Sequence, residues 1–185
     1  MAEFSNNVKV TNFILKPVIP SYSNQSWTGQ RIIRSTGIQY YTFQFTLNFT
    51  KDALPEINKF LANNTQGASF TMPLGIAGEY RGNQTGSLTS TSAVSAGNIV
   101  ITTNTNVMDV GETIQFSNHD KLYQIIDRTA TTLTIFPALQ NQVQASEIIK
   151  YDNLSITGQL DPDNDYSMTV GNLMTLNLKA QEVIN

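Results

Sequence analysis

Cysteine is missing from the 185-residue chain, histidine and tryptophan occur once each, and charged residues reach only 14%. Without cysteine there are no disulfides, no thiolate nucleophile and no cysteine-bound zinc. The charged fraction is well under the quarter or so found in an ordinary soluble domain. Net charge is −3 with no long basic run, so no strong electrostatic grip on nucleic acid or on an anionic membrane is expected. No stretch approaches the ~18 consecutive apolar residues of a membrane span. Residues 1–10 hold no apolar run and no signal-peptide layout, so the expectation is a soluble chain made in the cytoplasm. At this length a real core is available, in one domain or two small ones.

Threonine, asparagine, serine and glutamine fill the place of the missing charges. Such neutral polar residues suit sheet faces and loops better than helix surfaces, which makes the chain β-rich by composition. The clearest strand spans residues 38–50. Tyr41, Phe43, Phe45, Leu47 and Phe49 fall on one face, and Thr42, Gln44, Thr46 and Asn48 on the other. A period of two sets the aromatic row on a core and the uncharged polar row on water or a partner. Residues 29–34 read as the hairpin partner of this strand, joined to it by a turn at Thr36-Gly37.

One helix is expected. Thr50 or Asp52 caps it, Pro55 is tolerable in its first turn, Leu54, Ile57, Phe60 and Leu61 form its apolar stripe, and Asn63-Asn64 with Gly67 stop it. An extended segment follows at 68–74. From 75 to 97 five glycines punctuate a Ser/Thr-dense connection with one short strand near 87–90. Short strands then follow at 98–102, 112–117, 122–127, 131–136 and 147–151, a spacing that fits a small barrel or sandwich. Alternation returns at the end. Leu154, Ile156, Gly158 and Leu160 oppose Ser155, Thr157 and Gln159; residues 166–170 form another extended piece; Met174, Leu176 and Leu178 oppose Thr175, Asn177 and Lys179. The expected fold is therefore mainly β with one α-helix. A discontinuous main domain (1–80 plus 152–185) carries an inserted small β-barrel (83–151).

Catalytic chemistry finds little purchase. His119 lies in an expected turn between Asn118 and Asp120, with no Gly-x-Ser-x-Gly elbow in the chain. Asp161, Asp163 and Asp165 alternate as calcium ligands do, yet an EF-hand would need Gly at 166 and Glu at 172, where Tyr166 and Asn172 stand. Asp-Pro-Asp-Asn-Asp is better turn chemistry. No phosphate-cradling glycine motif is present, and nothing selects a pair of carboxylates for glycoside cleavage. Trp27 with Tyr22, Tyr40 and Tyr41 could stack on sugars, against the alternative that Tyr41 joins the core and the others line turns or an interface. No catalytic residue, metal or cofactor is assigned.

Two stretches carry a family likeness. The first is Ser26-x-x-Gly29-x-x-x-x-Arg34, leading through Gly37-x-Gln39-Tyr40 into the long alternating strand, then the helix and Gly67-x-x-Phe70-x-x-Pro73-Leu74. The second is Gly111-Glu112, Ile114, Phe116, Asn118-His119, Lys121, Tyr123 and Pro137-Ala138-Leu139. Together they resemble bacteriophage distal tail and baseplate-hub proteins. The resemblance implies a tail-tube-like β-sandwich or barrel that forms a ring, with a second β-barrel inserted. It further implies a virion protein of the tail tip, homohexameric, docking tail tube, hub, fibre or sheath proteins, and without enzymatic activity. On that reading Trp27, Arg31, Arg34, Tyr40, Thr42, Gln44, Thr46 and Asn48 are the candidate interface residues, and the uncharged polar row suits a lumen that must not hold DNA phosphates. The alternatives are a host-attachment or carbohydrate-binding module of a tail, and, further off, a tail tube or terminator protein or an all-β glycan-cleaving enzyme.

Overall fold

The computed structural model describes residues 4–169 and 171–183. The fold is mainly β, 44% strand and 10% helical, with a single α-helix. In chain order the strands are β1 (Val8–Val18), β2 (Ser21–Gln25), β3 (Arg31–Ser35) and β4 (Tyr40–Phe49). The helix α1 (Leu54–Asn64) follows, then β5 (Ser69–Pro73), β6 (Leu88–Thr89), β7 (Val100–Thr102), β8 (Thr113–Phe116) and β9 (Leu122–Arg128). The last four are β10 (Thr132–Phe136), β11 (Ile148–Lys150), β12 (Ser155–Leu160) and β13 (Met174–Glu182). They fall into two compact units. One takes the chain up to Lys16, Tyr41–Leu74 and the chain from Ser155; the other takes Pro17–Tyr40 and Gly75–Leu154. Segment 17–40, assigned to the main domain from sequence, thus groups with the second unit.

The first unit is a five-stranded sheet in the order β1-β4-β13-β12-β5. β4 and β13 pair antiparallel so that Phe43, Phe45, Leu47 and Phe49 oppose Ala180, Leu178, Leu176 and Met174. All eight are buried. Burying each large apolar side chain is worth roughly 1.5–3 kcal/mol, which is why this register holds against a one-residue slip. Phe70 of β5 meets Phe43, Phe45 and Phe60 edge-on, with ring centroids 6.0, 6.1 and 5.3 Å away. Phe60, with Ile57, is the buried face of α1. No side chain caps this helix: Thr50 precedes a 3-10 turn (Lys51–Ala53), and the backbone of that turn leads into Leu54. The helix ends before Gly67, whose φ of 86° suits glycine.

The second unit contains a six-stranded sheet in the order β6-β11-β8-β9-β10-β7. Its outer strands meet through the Ser90–Thr103 bridge. The Thr91 N–H donates to Thr102 O at 2.9 Å, and the Asn104 N–H to Thr89 O at 3.0 Å. The sheet therefore closes on itself, which removes its edges. Leu88, Ile101, Met108, Ile114, Phe116 and Tyr123 are among the side chains that fill it. His119 sits in a turn, but its ring is buried rather than wet: it lies on Phe116 with centroids 5.3 Å apart, and Nε2 stands 3.2 Å from Gln142 O.

Two further sequence expectations change. Residues 29–34 do not pair with the long strand; β3 pairs with β2, which the residue pattern had not revealed. β4 instead lies between β1 and β13, and on β13 an apolar row of matching length faces its aromatics. Residues 166–169 form no strand, and Val170 lies outside the described residues. The turn before them is held by side chains: Asp161 Oδ1 accepts the Asp163 N–H, and Asp165 accepts both the N–H and the hydroxyl of Ser167.

Candidate interaction surface

The expected interface residues divide into two groups. Trp27, Arg31 and Arg34 belong to the β2–β3 hairpin, and Tyr40, Thr42, Gln44, Thr46 and Asn48 to β4.

Five cross-strand pairs, from Ser21–Ser35 to Gln25–Arg31, build the hairpin, and every residue of both strands is exposed. At its base the Thr36 hydroxyl donates to Pro20 O at 2.8 Å. At its tip the Gly29 N–H donates to Ser26 O at 2.9 Å, and the Ser26 N–H to Gln30 O at 2.8 Å. Gly29 takes φ of 86°, as the last position of this tight turn demands. The Ser26 and Thr28 hydroxyls lie 2.6 Å apart and the Gln30 N–H donates to Ser26 Oγ, so the turn is tied on both sides of Trp27. The indole projects outward and is 98% exposed. Tyr22 is 76% exposed, Ile33 60% and Ile32 54%.

Residues directly opposite in an antiparallel pair share a face. Tyr22, Asn24, Ile32 and Arg34 therefore occupy one face, and Ser23, Gln25, Arg31 and Ile33 the other. Each face carries one isoleucine and one arginine, and neither covers a core. A two-stranded hairpin with two wet faces is marginally stable alone.

No family model matches the chain, and no curated protein matches it.

On β4 the polar row is more enclosed than its sequence indicated. Thr46 is buried, its hydroxyl donating to Asn177 Oδ1 at 2.7 Å. Asn48 donates through Nδ2 to Thr11 Oγ1 at 2.7 Å and accepts the Thr175 hydroxyl at 3.0 Å. Thr42 is half-buried beside Lys16 O, Tyr40 is half-buried, and only Gln44 is exposed. Most of this row thus knits β1, β4 and β13 together, because Thr46 and Asn48 stand directly opposite Asn177 and Thr175. The alternation placed these residues on one face; their mutual satisfaction needed the β13 register.

Gln44 opens onto a groove of about 330 Å³ whose wall includes Asn12, Ile14, Asp163, Asp165 and Lys179. The 161–169 loop borders it, pinned by Asn164. That side chain accepts the Lys179 N–H at 2.7 Å and donates to Lys179 O at 2.7 Å, replacing β12 where β12 ends. The sequence marks Asp163 and Asp165 as turn residues, preferred over a calcium reading, and does not mark Ile14; an exposed isoleucine has no local signature. Among the described residues no group of three or more His, Cys, Asp or Glu could hold a metal ion.

Glu147 and Tyr80 mark polar sites in the second unit. The buried Glu147 carboxylate accepts the Asn118 and Gln144 N–H groups at 3.0 and 2.8 Å, with His119 Nε2 4.0 Å away. Burial pushes the Tyr80 phenol above its usual range; the Gln84 N–H donated to it opposes that rise, and the Asp109 carboxylate adds to it. Both arrangements satisfy backbone donors.

Proposed function

We propose that the protein is a structural subunit of a bacteriophage tail tip or baseplate, assembling with copies of itself and with other tail proteins and performing no chemistry of its own. The observation that carries this reading is the two-faced hairpin with Trp27 at its tip. Exposed aromatic and arginine side chains on a preformed turn are the composition of interface anchors, and they serve no intrachain core. The five-stranded sheet adds support, since β1 and β5 are its edge strands and β1 runs eleven residues. Long edges invite pairing with another chain, and a ring of copies satisfies them. The family likeness of the Ser26–Arg34 and Gly111–Leu139 motifs supplies the tail as the place of assembly.

Size exclusion with light scattering tests the reading, alone and after mixing with tail tube and hub proteins, with rings sought by negative-stain microscopy. A discrete multimer or a stable co-complex supports it. A strict monomer under both conditions refutes it. A monomer that instead binds sugars on a glycan array, with loss on Trp27→Ala, transfers the weight to a host-attachment module, the reading that the exposed indole also favours.

A further inference from the structure

Charge is distributed unevenly along this chain. Residues 4–51 hold five of the eleven cations (Lys9, Lys16, Arg31, Arg34 and Lys51) and no carboxylate. The other six cations and all fourteen acidic residues lie outside that segment. The hairpin is its most exposed part, with arginine on both faces. The groove on the five-stranded sheet has the complementary character: exposed Asp163 and Asp165 against the single ammonium of Lys179, with Ile14 as an exposed apolar wall. Trp27, at the hairpin tip, is 98% exposed.

We infer that the hairpin tip of one copy seats in this groove on a second copy, with Trp27 against Ile14 and Arg31 toward Asp163 and Asp165. This rests on the assembly reading above and specifies its contact. Because donor and acceptor surfaces differ, the contact is head-to-tail, the kind that closes rings rather than two-fold dimers. The hairpin's two faces carry a further consequence. A single flat surface would cover Ile32 or Ile33 but not both, so the hairpin is inserted between walls rather than laid on one. Desolvated Arg–Asp pairs then add orientation, and the indole supplies the buried anchor.

The absence of cysteine and the single tryptophan make the contact directly testable. A Trp27→Cys copy mixed with an Ile14→Cys copy under mild oxidant is expected to yield an intermolecular disulfide, whereas either variant alone crosslinks far less. In the wild type, assembly is expected to shift Trp27 emission to the blue and to shield it from acrylamide. Arg31→Glu is expected to raise the concentration at half-assembly at least tenfold, and Arg31→Glu combined with Asp163→Arg to recover most of it. Thermal melting of each variant checks that the fold is intact. If the wild type assembles but no crosslink forms, Trp27 stays quenchable and charge reversal changes nothing, the docking site is wrong while the assembly reading stands. If the wild type is monomeric both alone and with tail proteins, both fall.

Discussion

Gly158 gives the sharpest test of how the first unit is packed. It lies in β12, in the row that includes Ile156 and Leu160, between Phe70 of β5 and Glu182 of β13. A methyl group there would stand 2.6 Å from Cε1 and Cζ of Phe43 and 2.8 Å from the Gln181 carbonyl oxygen. Ordinary carbon contacts lie at 3.5–4.0 Å, so the ring must retreat by about 1 Å. Phe43 is fully buried and hemmed in by Phe13, Phe45 and Phe70, with ring centroids 5.8, 6.1 and 6.0 Å away. The carbonyl belongs to the sheet backbone, so no rotamer change relieves it. Overpacking of this kind costs about 1–3 kcal/mol, against about 0.4–1 kcal/mol regained by restricting the unfolded chain. Gly158→Ala is therefore expected to lose about 1–2 kcal/mol, read as a lower urea midpoint by far-UV circular dichroism. Phe43→Leu deletes the two colliding ring atoms, so the double variant should be more stable than the sum of the single losses by about 1 kcal/mol. A Gly158→Ala protein as stable as wild type, or strictly additive losses, would refute the packing argument.

Glu147→Ala removes the buried carboxylate that accepts the Asn118 and Gln144 N–H groups, and is expected to cost about 1–3 kcal/mol by chemical denaturation, with little change in the far-UV spectrum of the native state. Because the folded state raises the Tyr80 pKa, it keeps that proton where the unfolded chain has lost it. The stabilisation is full below about pH 10 and disappears as pH rises through the raised value. Urea midpoints should fall less steeply above about pH 10 in Tyr80→Phe than in wild type. Replacing residues 83–150 by a short linker is expected to leave a chain that still melts cooperatively with β-type circular dichroism, since the sheet of the first unit draws no strand from that segment. Loss of the transition would show that the two units are one folding unit.

Much of this architecture was legible locally. Period-two alternation assigns faces whatever the partner strand, so the core row of β4 and the row from Met174 to Leu178 could be read directly and are buried as read. The short strands of the closed sheet were legible too, because turn residues bracket each one. β1 was not, because its burial changes parity: Val8 is buried, while Thr11, Phe13 and Leu15 are the half-buried positions further on. The β2–β3 hairpin was missed for another reason. Its strands bury nothing, so no apolar alternation marks them.

Composition and spacing alone thus determined a cysteine-free, charge-poor, mainly β chain with one helix, its core rows, and the lack of any familiar catalytic motif. Tertiary structure decided what depends on partners distant in sequence. β4 joins β13, 125 or more residues away in their paired positions, because side-chain rows of matching length meet there. Thr46 and Asn48 became internal hydrogen-bonding groups because Asn177 and Thr175 arrive opposite them. The single tryptophan was visible from the start as a candidate contact. Only the fold made it an unburied one, by closing Ser26 to Gln30 around it and leaving both faces of the hairpin without a core.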